Sequence, residues 1–396
     1  MGTNVCFLGG ARYSRPLDTT SEKKFRAMKT LGTLFVIGFS QDLQMRRFTE
    51  HARFYLLPKA PWPILRYLEL FVFGQMILFW LILRRRVEIV VAQSPYEGFI
   101  AALAIRCAES LGYHARLVVE IHGDFENGLF LQREIRFPGF YRFLMGRVAR
   151  YSIKQADLLR AISNSTKEQI ERWAPRKRVV QFPAWTDIEA FLQNGQGAKA
   201  SVPRILYAGV IAPHKGIHHL VNAFAVVAEE FPSVELTIIG KEENKRYRAA
   251  LNEQVKKLGL KDRVRFMGAV SQSELARWMA NSSVLVLPSL SEGLGRVIFE
   301  AMAAGTPVIG SRVGGIPELV EDGVSGFSVS PGDENALAES LRWIFSNPEK
   351  SCAMGKSGRA FVERFFSTDS YLEGFKQIFE MAQPRIEDAE HATSAV

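Results

Sequence analysis

Short apolar runs recur along this chain, separated by longer stretches of helical length and mixed polarity. In the amino half the runs are Val5–Leu8, Thr33–Ile37, Ile89–Ala92, Leu117–Ile121, Leu158–Ile162 and Val179–Val180. In the carboxyl half they are Arg204–Ala208, Val234–Ile239, Val264–Met267, Val284–Leu287 and Pro307–Ile309. Strands alternating with helices imply parallel sheets wound by right-handed crossovers. The polar, glycine-rich stretch Gln193–Pro203 separates the two series and reads as a linker. The expected division is a first domain over 1–192 and a second over 203–360, with Arg385–Val396 as a solvated tail.

The 396 residues suffice for two domains with their own cores, and a chain that is 47 % hydrophobic and 23 % charged is an ordinary globular one. Cys6, Cys107 and Cys352 are odd in number and widely spaced, which suggests neither a disulfide framework nor a zinc site and fits a reducing compartment. Asn4–Gly10 reads as a short strand running into a glycine turn, without the pattern of a signal peptide, so the expected location is the cytoplasm. The net charge of +9 is unevenly placed. Residues 1–190 hold 28 Lys and Arg against 17 Asp and Glu, while the remainder holds 22 against 24. A one-sided positive field favours an anionic partner surface.

The segment Pro288–Gly310 is the most informative for chemistry. It reads as a strand end, a glycine-rich loop, a helix over Arg296–Ala304, a stop at Gly305 and a new strand. Glu292 falls in the loop and Glu300 on the helix, where it is expected to be partly exposed. A helix start preceded by Gly293 and Gly295 offers unpaired N–H groups and the positive end of a dipole, a ready site for a diphosphate. Two carboxylates beside it can accept hydrogen bonds from sugar hydroxyls.

This string resembles the Glu-x7-Glu motif of the retaining nucleotide-sugar glycosyltransferases of family 4. The resemblance implies an α/β fold of the GT-B type, two Rossmann-like domains with a cleft between them. It also implies a nucleotide-sugar donor domain over 203–360 and a helix in 361–384 that crosses back to the first domain. By position, Glu292 lies near the donor sugar and Glu300 holds the ribose, with the backbone of Gly293, Leu294 and Gly295 facing sugar and phosphates. The segment Tyr207–Gly216 resembles the family's diphosphate clamp, in which a glycine–arginine pair is followed by lysine–glycine. Gly209 and Lys215 match, but Val210 stands where the arginine is expected. Arg296, His214 or the dipole at the Glu292 loop are the candidate replacements. His122, at the end of a first-domain strand, matches a family histidine next to the donor sugar, and Gly9 and Gly10 would lie against donor or acceptor. Gly314–Glu318 and Asp322–Phe327 also match the family and read as tight-turn chemistry. Asp187 reads as structural.

Leu70–Leu83 is 14 residues without a charge, followed by Arg84–Arg86. A bilayer needs about 20 apolar residues, so the stretch is short for a span. It fits either a buried crossover helix or a helix lying in a membrane interface. Phe130–Tyr151 mixes aromatic residues with arginines, a composition that suits an anionic membrane surface.

The resemblance implies a retaining, metal-independent transferase that needs no cofactor beyond its donor substrate, a nucleoside diphosphate sugar. The acceptor expected is a bacterial surface polysaccharide or a lipid-linked glycan, with the protein cytoplasmic or peripheral on the inner face of the membrane. The alternative is a catalytically weak, membrane-associated partner subunit of the same fold, suggested by Val210. A nucleic-acid partner is disfavoured, since no binding module is present and carboxylates surround the proposed phosphate site.

Overall fold

The computed structural model describes residues 3–126, 138–194 and 203–382. It divides into two compact units, the first comprising the chain to Glu126, the stretch ending at Trp185 and the segment from Thr368 onward, the second including Thr186–Ser367. The break at Trp185 precedes the glycine-rich stretch, because helix Glu189–Asn194 packs against helix Gln272–Ala280 of the second unit. Residues 195–202, the first part of Phe130–Tyr151 and the tail Arg385–Val396 lie outside the described residues.

The first unit is built on eight strands: β1 (Asn4–Tyr13), β2 (Thr33–Ser40), β3 (Arg46–Glu50), β4 (Ala52–Leu57), β5 (Ile89–Ala92), β6 (Arg116–Ile121), β7 (Leu158–Ala161) and β8 (Val179–Gln181). Their order is β3-β4-β2-β1-β5-β6-β7-β8. All pairings are parallel except that of β3 with β4. Successive side chains of a strand serve opposite faces. Thus Cys6, Leu8, Phe35 and Ile37 pack with Leu78, Leu81 and Ile100 on one side. Val5, Phe7, Leu34 and Val36 pack on the other, with Phe25 and with Phe375 and Ile378 of helix Thr368–Ala382. The chain therefore returns to the first unit at its last described helix.

Between β4 and β5 a single helical rod runs from Pro63 to Arg85, with one wide π turn at Leu70–Gly74. It is longer than the uncharged stretch suggests, since only Arg66 and Glu69 interrupt its first turns. Gly74 leaves room for the Leu70 side chain of the preceding turn, since a Cβ there would lie 2.9 Å from Leu70 Cδ1.

The second unit holds β9 (Arg204–Ala208), β10 (Glu235–Ile239), β11 (Val264–Met267), β12 (Val284–Leu287), β13 (Val308–Ser311) and β14 (Gly326–Val329). All are parallel, in the order β11-β10-β9-β12-β13-β14. That is the doubly wound order of a Rossmann sheet, with its reversal between β9 and β12.

Candidate functional site

In open α/β sheets, ligands bind beyond the carboxyl ends of the strands at the point where strand order reverses. In the second unit that point is fed by the loops after β9 and β12, and these loops and the helix that follows β12 carry the predicted residues of this unit. After β9 the chain passes Gly209 and the 3-10 turn Pro213–Lys215 into helix Ile217–Glu230. Gly216 has φ 62°, and a Cβ there would sit 2.1 Å from the carbonyl oxygen of Pro288. Only glycine allows the two loops to lie this close. The Leu290 N–H donates to the His214 carbonyl at 2.8 Å and fastens them together.

The packing brings Lys215 Nζ to 2.5 Å from Glu292 Oε1, with the two side chains 15 % and 13 % exposed. Ser289 Oγ donates to the same carboxylate oxygen at 3.0 Å. The loop is braced from the turn after β13. A Cβ on Gly314 (φ 55°) would come within 2.2 Å of the Glu292 carbonyl oxygen, and the Gly315 N–H donates to the Gly293 carbonyl at 2.8 Å. The Gly314–Glu318 turn thus fixes the position of Glu292, a role its sequence alone does not reveal.

Helix Arg296–Ala303 begins at Gly295, which caps it with φ 72°. The Ile298 N–H is taken by the Gly295 carbonyl at 2.8 Å, and the N–H groups that precede it form the positive end of the helix dipole. Leu294 and Gly295 are buried, so they anchor the loop, while Gly293 stays half-buried. Glu300 differs from expectation. It is buried, not partly exposed, on a short helix that packs against helix Pro348–Phe365 and other elements of the second unit. Burial pushes the Glu300 carboxyl above its ordinary range, and Arg296, 3.7 Å away and largely exposed, offsets this only in part.

The Val210 position holds its backbone firmly and supplies no charge. Tyr207 Oη donates to the Val210 carbonyl at 2.8 Å. His214 is a poorer cation than the missing arginine, because burial, and then Lys215, push its pKa below the ordinary value.

In the first unit the strand order reverses between β1 and β5. Gly9 and Gly10 do not form a turn after β1 but a bulge within it. Leu8 pairs with Ile37 and Arg12 with Phe39, so Gly9, Gly10 and Ala11 stand against the single residue Gly38. A Cβ on Gly9 would meet Gln93 Oε1 at 1.9 Å, whereas one on Gly10 would have its nearest contact, Glu97 Oε1, at 3.6 Å. Glu97 is buried at the start of helix Pro95–Glu109, accepts a hydrogen bond from the Ser94 hydroxyl, and is pushed up by burial. It was not singled out in the sequence, although a lone carboxylate in an otherwise apolar helical stretch is a usable signal.

His122 follows β6, 39 % exposed, and its Nε2 donates to Glu120 Oε2 at 3.0 Å. Glu120 in turn pairs with Arg160, its register partner on β7, and both are buried. Arg160 also donates to the Pro183 carbonyl at 2.7 Å and lies over the Phe182 ring, 3.8 Å from its centroid. Burial alone would raise Glu120, but Arg160 and then His122 hold it well below the usual carboxylate range. The histidine is thus oriented by a carboxylate that is itself locked in place. Charges inside the apolar runs of β6 and β7 were the sequence signal for this pair. Among the described residues, no group of three His, Cys, Asp or Glu side chains is arranged to hold a metal ion.

Two family models divide the chain between them. One, described as Glycosyltransferase Family 4, matches residues 33–190, and the other, described as Glycosyl transferases group 1, matches residues 190–361. A D-inositol 3-phosphate glycosyltransferase of Streptomyces avermitilis is 38 % identical over 166 residues, 40 % of this chain and 36 % of that protein. The match therefore spans little more than a third of that relative's length. The N-acetyl-alpha-D-glucosaminyl L-malate synthase of Bacillus anthracis is 28 % identical over 70 % of this chain and 71 % of its own. Among solved structures, the sucrose-phosphate synthase of Thermosynechococcus elongatus superposes with a TM-score of 0.75 at 21 % identity, covering 95 % of this chain and 98 % of that one. Anabaena Alr3699/HepE in complex with UDP superposes with a TM-score of 0.71 at 20 % identity, covering 96 % of this chain and 100 % of that one. At such identities the structural likeness speaks for the fold, and with the two family models it leads to one conclusion: the chain belongs to the family 4 glycosyltransferases and has the GT-B fold.

Proposed function

We propose that the chain is a retaining glycosyltransferase that moves a sugar from a nucleoside diphosphate sugar to an acceptor hydroxyl, in bacterial surface polysaccharide or lipid-linked glycan synthesis. The observation that carries this reading is the Lys215–Glu292 pair beside the amino end of helix Arg296–Ala303. It sets one cation, one carboxylate and the positive end of a helix dipole at the carboxyl ends of the strands of the second unit. The crystallised complexes of Alr3699/HepE with UDP, and with UDP and glucose, support the donor class. The relatives' names carry chemically different acceptors, an inositol phosphate in one and L-malate in another, so the acceptor rests on the reading of this chain alone.

In this reading the diphosphate draws Lys215 away from Glu292 and takes the helix N–H groups as further donors. Charge grows on the phosphate as the bond from the sugar's anomeric carbon breaks, so these groups act most strongly in the transition state. Glu292, released, accepts from a sugar hydroxyl, and Glu300 from the ribose. The acceptor oxygen forms its bond on the face the diphosphate leaves, and its proton passes to the departing diphosphate oxygen. No metal or cofactor takes part. Thermal shift and saturation-transfer NMR with a panel of nucleotide sugars, then NMR of the product's anomeric configuration, test this. Failure to bind any nucleoside diphosphate sugar, or an inverted product, rejects it.

Val210 supports a second reading, a catalytically weak subunit that keeps the fold and works beside an active partner. Donor hydrolysis by the purified chain separates the two.

A further inference from the structure

We propose that the outer face of helix Pro63–Arg85 lies in the interface of an anionic lipid bilayer, parallel to its plane, with arginines at its carboxyl end on the lipid phosphates. This rests on a different part of the molecule from the transfer site and stands or falls independently of it.

The segment Leu65–Arg85 is 21 residues long and apolar enough to cross a membrane, yet only 28 % of its apolar window is buried. It is therefore not an ordinary core helix. Nor is it free to span, because Leu70, Leu78, Leu81 and Ile82 are locked into the cluster that holds Leu8 and Ile37 of the sheet. Withdrawing them would dismantle that side of the first unit. What remains is the opposite face, where Leu68, Val72, Phe73 and Met76 are all exposed. Water covers this apolar strip in the isolated chain, an arrangement that marks an interaction surface.

The charges around the strip select the occupant. Near the carboxyl end of the helix Trp80 is flanked by Arg47 and Arg85, whose guanidinium carbons lie 5.9 Å and 5.8 Å from its ring. Arg53 joins these two arginines in lining a shallow surface cavity. Among the described residues, none of Arg47, Arg53 or Arg85 is paired with a carboxylate. A second tryptophan, Trp62, stands exposed just before the amino end. Tryptophan at each end of an apolar strip, with unpaired arginines beside one of them, suits the boundary between acyl chains and headgroups. A second copy of this chain fits poorly, because a twofold contact through the strip would concentrate like charges at one interface.

Flotation of the full chain with phosphatidylcholine vesicles, with and without phosphatidylglycerol, tests the proposal. Binding is expected with phosphatidylglycerol, weakened by salt, and reduced about fivefold for each arginine removed in Arg47→Ala and Arg85→Ala. The triple variant Leu68→Ser, Phe73→Ser, Met76→Ser should bind at least roughly tenfold more weakly. Circular dichroism and the thermal melt check that it folds, and the surface arginine variants carry the test if it does not. Wild type should be released by alkaline carbonate. Binding that ignores lipid charge, a folded triple variant that binds like wild type, retention after carbonate, or a dimer in solution that the triple variant dissolves would each overturn it.

Discussion

Lys215 and Glu292, 77 positions apart in the chain, form an ion pair of 2.5 Å where the loops after β9 and β12 meet. The lysine is thus held in place and partly neutralised by the carboxylate, and the phosphate of the proposed donor would have to compete with Glu292 for it.

Replacing Lys215 by Ala is expected to lower donor hydrolysis by roughly 10²- to 10³-fold while weakening donor affinity much less, since the lost contact matters most as the phosphate charge grows. The substitution also strands the largely buried Glu292, so the double variant Lys215→Ala/Glu292→Gln should be more stable to denaturant than Lys215→Ala alone. Wild-type hydrolysis in a folded Lys215→Ala protein would remove the phosphate clamp from consideration.

Glu300→Gln should separate function from stability. A carboxyl whose pKa is raised on folding costs stability once it ionises, so the native state weakens as pH climbs from the ordinary carboxylate range through the raised value. The variant should therefore melt higher than wild type at neutral pH, and the difference should vanish in acid. Nucleotide affinity, read by calorimetry, should fall sharply in both Glu300→Gln and Glu300→Ala. Unchanged affinity in either folded variant would contradict the ribose assignment.

For Glu120→Gln the sign is opposite. Glu120 is held below its ordinary range, so its contribution is present above the unfolded carboxylate pKa and is lost as pH falls toward the native value. Removing the charge leaves Arg160 buried and unpaired at a cost of roughly 3–5 kcal/mol at neutral pH. Urea unfolding is the measurement, and a loss below about 1 kcal/mol would show that Arg160 finds other partners.

Val210→Arg should raise donor affinity several-fold, because it adds a second cation beside the proposed diphosphate without disturbing the Val210 carbonyl that Tyr207 holds. EDTA should leave activity intact in wild type and variant alike. Strict dependence on Mg²⁺ or Mn²⁺ would refute the proposed mechanism.

Most strands were legible because each is a short apolar run with glycine or proline nearby. β3 and β4 were not, since Arg46, Arg47 and Arg53 break the apolar pattern in an edge hairpin, and Gly326–Val329 did not stand out because Gly326 and Ser328 interrupt its apolar residues. The placement of Glu292 in a glycine-rich loop ahead of a helix was legible in the sequence, whereas its ion pair with Lys215 was not. The depth of Glu300 was not, because burial of a short helix depends on a partner segment some fifty residues further along. The bulge at Gly9 and Gly10 escaped for a related reason: whether paired glycines turn a chain or kink a strand depends on which strand lies alongside.

The return of helix Thr368–Ala382 to the first unit has a consequence for biosynthesis. Phe375 meets Phe7 edge-on with ring centroids 5.6 Å apart, and the same phenylalanine lies 5.1 Å from the Arg160 guanidinium. The part of this side of the earliest-made sheet that helix Thr19–Met28 does not cover therefore stays open on the ribosome until the whole second unit has been translated. At about 5–20 residues per second, the interval between Phe7 and Phe375 is tens of seconds, during which the nascent first unit presents an apolar face to chaperones and to other chains.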